Sequence, residues 1–205
     1  MFVRAPKDLN ETTYTAAIAQ ILGPDLAADV AAQYPCSAYK ADLGQGACWW
    51  ALAAVERDCM FTCPVSTSSY HLANLPGRTN SAHSYAYWYT QVLLVVDIVD
   101  LFKPYRCFHG SELPSVFDLW PALIGEGEAA MAQWFVRAWT AFAATGDPNY
   151  AGAPGAWSPF GAGNSTLVIS TGAGGVSLNN TASIFADPCA FWAAHPVPES
   201  VIWGR

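Results

Sequence analysis

Residues 107–117 read CFHGSELPSVF, and this segment holds the residue types best suited to moving a proton. His109 carries a ring that titrates near neutrality, Gly110 beside it permits a tight backbone path, and Glu112 follows closely. Residue chemistry alone supports two readings. In one, His109 is a general base on an open loop, within reach of a nucleophile. In the other, it is a structural histidine satisfied by a local carboxylate such as Glu112, and single histidines of that kind are common. Asp97 and Asp100 could orient the imidazole and could as easily form a solvated edge. His71, His83 and His195 fall in a helix, a turn and a segment near the C-terminus, where a structural role is preferred.

A nucleophile to match is harder to find. A serine at a strained strand-to-helix turn is marked by Gly-x-Ser-x-Gly, and none of the 205 residues forms that pentapeptide. Ser165, in GNSTL, lacks the second glycine and lies within a glycosylation sequon. The glycine-rich TGAGG (171–175) has no lysine where a phosphate-binding loop needs one and reads as a connection between strands.

The elements that must position His109 can be read from pattern and punctuation. TTYTAAIAQIL (12–22) is a helix with hydroxyl caps, stopped by Gly23-Pro24, and PDLAADVAAQY (24–34) restarts with Pro24 in a favourable first-turn position. ACWWALAAVERDCMF (47–61) and PVSTSSYHLANL (64–75) are two further helices. The character then changes: SYAYWYT (84–90) is aromatic and extended in propensity, with the LPGRTN turn before it. EAAMAQWFVRAWTAFAATG (128–146) is the clearest helix. Met131, Trp134, Phe135, Ala138 and Phe142 share one face as core packing, and Gly146 stands where a C-terminal cap belongs. Two short strands, TLVIS (166–170) and GVSL (175–178), precede a last helix in DPCAFWAAH. With no internal repeat, charge run or linker composition, residues 1–205 read as one domain or part of one.

Composition limits the function classes. Apolar residues make up 53% of the chain and the net charge is −7, which suits a folded core and disfavours a nucleic-acid binder. The richest apolar run, VLLVVDIVDLF (92–102), is broken by Asp97 and Asp100 and is shorter than the ~20 residues that span a bilayer, so no transmembrane segment is expected. Six cysteines show no zinc-site spacing. Sequons at Asn10, Asn164 and Asn179, with the even cysteine number, favour an oxidising, secretory compartment. The residues after Met1, FVRAPKDLNETT, show no signal core or cleavage site, and an upstream segment would reconcile the two.

Several motifs in order then point to a family. FHGSELPSVF, FAATGDPN (142–149), WSPF (157–160), RDCMFTCP (57–64) and CAFW (189–192) together resemble the C-terminal part of a type B carboxylesterase. That is the cholinesterase-like branch of the α/β-hydrolases. The resemblance covers nearly the whole chain and implies an α/β fold, made of helices plus the last strands of an α/β-hydrolase sheet.

It further implies that His109 is the triad histidine of a serine hydrolase acting on a small-molecule carboxylic ester, with no metal or cofactor. It pairs Cys63 with Cys189. A second bridge, Cys36 to Cys48, is expected across the polar loop between them, while Cys36, Cys48, Cys59 and Cys107 are not explained by the motifs. The family's serine elbow and oxyanion-hole glycines lie well upstream, and its triad acid is expected a few residues before Phe2. Asp118 departs from the glycine usual at that position. The resulting expectation is a fragment of a secreted ester hydrolase, inactive on its own. The rivals are a non-catalytic adhesion or binding member of the same fold, a truncated inactive product, and a separate binding module.

Overall fold

The computed structural model describes residues 6–76, 84–94, 106–119, 125–161, 163–172 and 175–198. Asp97, Asp100 and His83 lie outside them. The chain divides into two compact units, one formed by residues up to Val65 with those from Phe185 onward, the other by Ser66–Ile184.

The first unit is helical. Helix α1 (Glu11–Leu22) begins at Asn10, whose side chain accepts from the Thr13 backbone N–H at 3.0 Å while the Thr13 hydroxyl accepts from Asn10 N at 2.9 Å. That reciprocal cap satisfies two of the donors a helix start leaves open. Helix α2 (Pro24–Gln33) opens on Pro24, and helix α3 (Ala47–Arg57) runs into one wide π turn at Asp58–Thr62 before helix α4 (Cys63–Ala73). Tyr14, Ile18, Leu22, Val30, Leu52 and Val55 fill the core of this unit, together with Trp192 from helix α7 (Ala186–Ala194).

The second unit is built on three strands in the order β1 (Ala86–Tyr89), β2 (Ser165–Gly172), β3 (Gly175–Ala182). β1 runs parallel to β2, with Ala86 opposite Thr166, and β2 runs antiparallel to β3, with Ser165 opposite Ala182. Both β2 and β3 are longer than the apolar runs that announce them, because a hairpin ladder continues through polar residues such as Asn179 and Asn180 once the register is set. The part of α4 from Ser66 onward, a four-residue helix, α5 (Leu113–Val116), and the long helix α6 (Glu126–Thr145) also belong to this unit.

Glu128 fixes the start of α6: its carboxylate accepts from Gly125 N at 3.0 Å and from Leu94 N at 2.7 Å. Gly146 ends it in the left-handed conformation, with φ 78°. Met131, Trp134, Phe135 and Ala138 are buried against Leu167 and Ile169 of β2. Phe142 does not follow them into the core as its spacing predicts. It is 45% exposed, because it lies in the last turn of α6, and its ring packs edge-on against Tyr85 with centroids 5.8 Å apart.

Candidate active site

His109 sits in a turn that leads into α5, between β1 and α6 in the chain, and it is exposed. The turn is pinned by its own backbone: Ser111 N donates to Phe108 O at 2.9 Å and Leu113 N to Gly110 O at 3.1 Å. Gly110 has φ 84°, and a Cβ there would stand 3.4 Å from Leu113 Cδ1, so glycine answers both the backbone and the close side chain. Two side-chain contacts suspend this turn from β1. The Cys107 thiol donates to Tyr89 O at 3.1 Å, and the Tyr87 hydroxyl donates to Glu112 Oε1 at 3.4 Å.

Cys107 is exposed as a residue, yet its sulfur is turned inward to Tyr89 O and to Ser111 Oγ at 3.5 Å. Burial of the thiol raises its pKa, with a smaller opposing effect from the Ser111 hydrogen bond. Ser111 and Ser115 are 3% and 2% exposed, so the two serine hydroxyls nearest His109 in sequence are packed away from solvent. The hydroxyls of Tyr89 and Ser115 are buried and have no hydrogen-bond partner among the described residues.

The remaining histidines have other surroundings. His71 lies exposed on α4 with its ring 5.9 Å from that of Tyr70. His195 stacks on Phe191 with centroids 4.3 Å apart and sets Nδ1 3.0 Å from Phe191 O and Nε2 3.7 Å from Asp29.

The motifs beyond the histidine turn are structural joints. In the second unit, Asn149 exchanges two hydrogen bonds with the Trp157 backbone, at 2.7 and 3.0 Å, and the Trp157 indole N–H donates to Ala86 O of β1 at 3.1 Å. GDPN and WSPF therefore meet and hold the strand beneath His109. In the first unit, Asp58 is fully buried and accepts from Arg57 at 2.6 and 2.8 Å and from the Tyr34 hydroxyl at 3.1 Å. The Trp192 indole donates to the Tyr34 oxygen at 2.8 Å, so the RD of one motif and the W of CAFW converge on Tyr34. Burial, then the Asp58 charge, pushes the Tyr34 phenol far above its ordinary range.

Cys63 and Cys189 are joined, with Cα atoms 5.1 Å apart, and so are Cys36 and Cys48, at 4.5 Å. Cys59 is a buried free thiol whose pKa burial pushes up to about 12. Of the sequons, Asn10 is the α1 cap and exposed, Asn179 is exposed on β3, and Asn164 is half-buried at φ 47°, its Oδ1 without a hydrogen-bond partner among the described residues. Among the described residues no cluster of three or more His, Cys, Asp or Glu could hold a metal ion, and no helix is long and apolar enough to cross a membrane.

Tyr34, Tyr87 and Cys107 are not legible as site or joint residues in the sequence. Each acts through a contact remote in sequence, which leaves no local pattern.

Comparison with known proteins places these joints in context. The carboxylesterase family matches residues 6–192, nearly the full length, and the chain belongs to that family. Among solved structures, a PNB esterase superposes with a TM-score of 0.59 at 20% identity. The match covers 91% of this chain and 34% of that one, so the chain spans about a third of that esterase's length. The fold is thus part of an α/β-hydrolase domain. No curated protein matches the sequence.

Proposed function

We propose that this chain is the histidine-bearing part of a serine-type carboxylic-ester hydrolase, and that His109 is its general base. The observation that carries the proposal is the exposed His109 ring on a turn held at Gly110 and suspended from β1 by Cys107 and Glu112, in a chain of the carboxylesterase family. A base of this kind must be open to substrate and fixed in direction at once.

In the complete enzyme, the His109 imidazole takes the proton of a serine hydroxyl as the serine oxygen bonds to the ester carbonyl carbon. The imidazolium then gives that proton to the departing alkoxide, which leaves as an alcohol. Water repeats the sequence on the acyl-serine, releasing the carboxylic acid and restoring both residues. The serine, the triad acid and the oxyanion donors are supplied by segments beyond the matched third of the esterase. The substrate is a small carboxylic ester. Secretion belongs to the same proposal: two disulfides persist in an oxidising compartment, and the exposed Asn10 and Asn179 are the accessible acceptors for glycans, ahead of the half-buried Asn164.

The test is a longer chain that contains the serine elbow, assayed with an aryl acetate. His109→Ala lowers kcat by roughly 10⁴–10⁶-fold, since triad members act as a unit, and leaves the circular dichroism unchanged. Turnover retained within about tenfold of wild type would instead favour the non-catalytic member of the fold, because no triad loses its base so cheaply.

A further inference from the structure

The hairpin of β2 and β3 ends the sheet on an edge that carries no charge. Its register is unbroken over eight pairs, from Ser165 opposite Ala182 to Gly172 opposite Gly175, so no bulge turns the edge aside. β3 reads GVSLNNTA, with no proline to remove a donor and no charged side chain to repel another strand. No Asp, Glu, Lys, Arg or His occurs from Pro148 to Ala186, although the whole chain carries −7. Edge strands are normally blunted by one of these devices, by being very short, or by a cover. β3 is eight residues long, and among the described residues its backbone pairs with β2 alone. The neighbouring 155–158 loop is held through the Asn180 side chain, which donates to Ala156 O at 2.7 Å and accepts from Ser158 N at 2.9 Å, and not through a backbone ladder.

Midway along this edge lies the sequon Asn179-Asn180-Thr181. Leu178 pairs with Ile169 and joins the core, so the next residue, Asn179, points to the opposite face of the sheet, where it is exposed. A glycan on Asn179 therefore displaces nothing in the core. Side chains directly opposite one another on adjacent strands stand only ~4.5–5.5 Å apart at Cβ, so a strand added outside β3 would collide with the sugar.

We propose that the outer edge of β3 takes a second copy of this chain by antiparallel strand pairing, and that an N-glycan on Asn179 closes it. The charge pattern selects the occupant. Two chains at −7 repel one another over their acidic surfaces, and the uncharged stretch is where they meet at least like-charge cost. Two such edges related by a two-fold axis offer each other the same donors and acceptors, so the contact is self-complementary and closes at a dimer. The glycan rests on the secretory reading given above; the edge does not.

The test is sedimentation velocity of the 205-residue chain secreted from a glycosylating host, wild type beside Asn179→Gln, which removes one sequon and leaves those at Asn10 and Asn164. Wild type sediments as a monomer with glycan mass at Asn179, and Asn179→Gln sediments as a dimer. Adding Ser177→Lys to Asn179→Gln sets like charges on the two paired edges, at an exposed position, and weakens the dimer by at least about tenfold. The wild-type sequence made in the presence of tunicamycin also dimerises, a comparison that needs no substitution to fold. Monomers of both unglycosylated chains overturn the edge pairing, and so does a dimer that Ser177→Lys leaves unchanged. A wild type that dimerises with its Asn179 glycan in place overturns the closure alone. A secreted wild type without glycan at Asn179 overturns the closure and the secretory reading together, while the unglycosylated chains still decide the edge.

Discussion

Asp118 carries a side chain in a conformation that glycine tolerates best, with φ 48°. It closes the turn after α5, where its N–H reaches Ser115 O at 3.4 Å. The structure keeps the turn while accepting that conformation at a residue with a side chain. The left-handed region costs an L-residue ~1–2 kcal/mol, less for aspartate, and glycine adds back ~0.4–1 kcal/mol of freedom to the unfolded chain. Asp118→Gly therefore raises stability by about 0.5 kcal/mol in urea unfolding; a loss would show that the aspartate is held by something the turn geometry does not reveal. Glu56 is a second strained residue, 8% exposed on α3, with its pKa raised by burial. A carboxyl whose folded pKa is raised stays protonated longer in the folded state, so the native state binds more protons across the window between the two pKa values. Stability then falls as pH rises from the ordinary glutamate range through the folded pKa. Glu56→Gln removes that slope and is more stable than wild type at neutral pH, which unfolding midpoints measured across the acidic range check.

Helix α6 shows what a sequence displays plainly. Its apolar positions repeat at helical spacing from Met131 to Phe142, about three turns, Glu128 and Gly146 punctuate its ends, and Phe142 departs, since the period assigns it to the buried face but the last turn leaves it exposed. The π turn at Asp58–Thr62 shows the opposite. Its residues continue the apolar pattern of α3, so the sequence reads as one helix, whereas the turn buries Asp58 against Tyr34, 24 residues away, a contact no local window contains. The histidine turn falls between these cases. Gly110 and Glu112 mark it in the sequence, whereas its suspension from Tyr87 and Tyr89 depends on strand register. The Cys63–Cys189 bridge joins the start of α4 to α7 across a separation of 126 residues, against 12 for Cys36–Cys48. Chain-entropy reasoning gives the longer closure the larger share, about 4–5 kcal/mol against ~3. The double substitution Cys63→Ala, Cys189→Ala therefore lowers unfolding stability by more than Cys36→Ala, Cys48→Ala does, by about 2 kcal/mol; the reverse order would mean that the unfolded chain is already constrained between α4 and α7.

At the scale of the molecule, 205 residues hold two compact units, and one of them gathers both the earliest and the latest segments of the chain. The motifs of the carboxylesterase family serve mainly as joints within these units: Tyr34, Asp58 and Trp192 in one, Asn149, Trp157 and β1 in the other. Of the motifs quoted for the family, the histidine turn is the one that exposes an imidazole. A triad deprived of one member keeps ~10³–10⁴-fold acceleration over water only while its oxyanion hole and binding site stay intact. On the proposed reading, a chain that holds the base without the serine, the acid or the oxyanion donors has no such remainder. The central claim is that His109 is one half of a proton transfer whose other half lies in a longer chain. The most direct measurement is hydrolysis of an aryl acetate by the purified 205-residue chain, wild type beside His109→Ala. The account predicts equal rates, both at the level of buffer containing an unrelated folded protein. Turnover that saturates with substrate and disappears with His109 would contradict it, and would place the nucleophile within this chain.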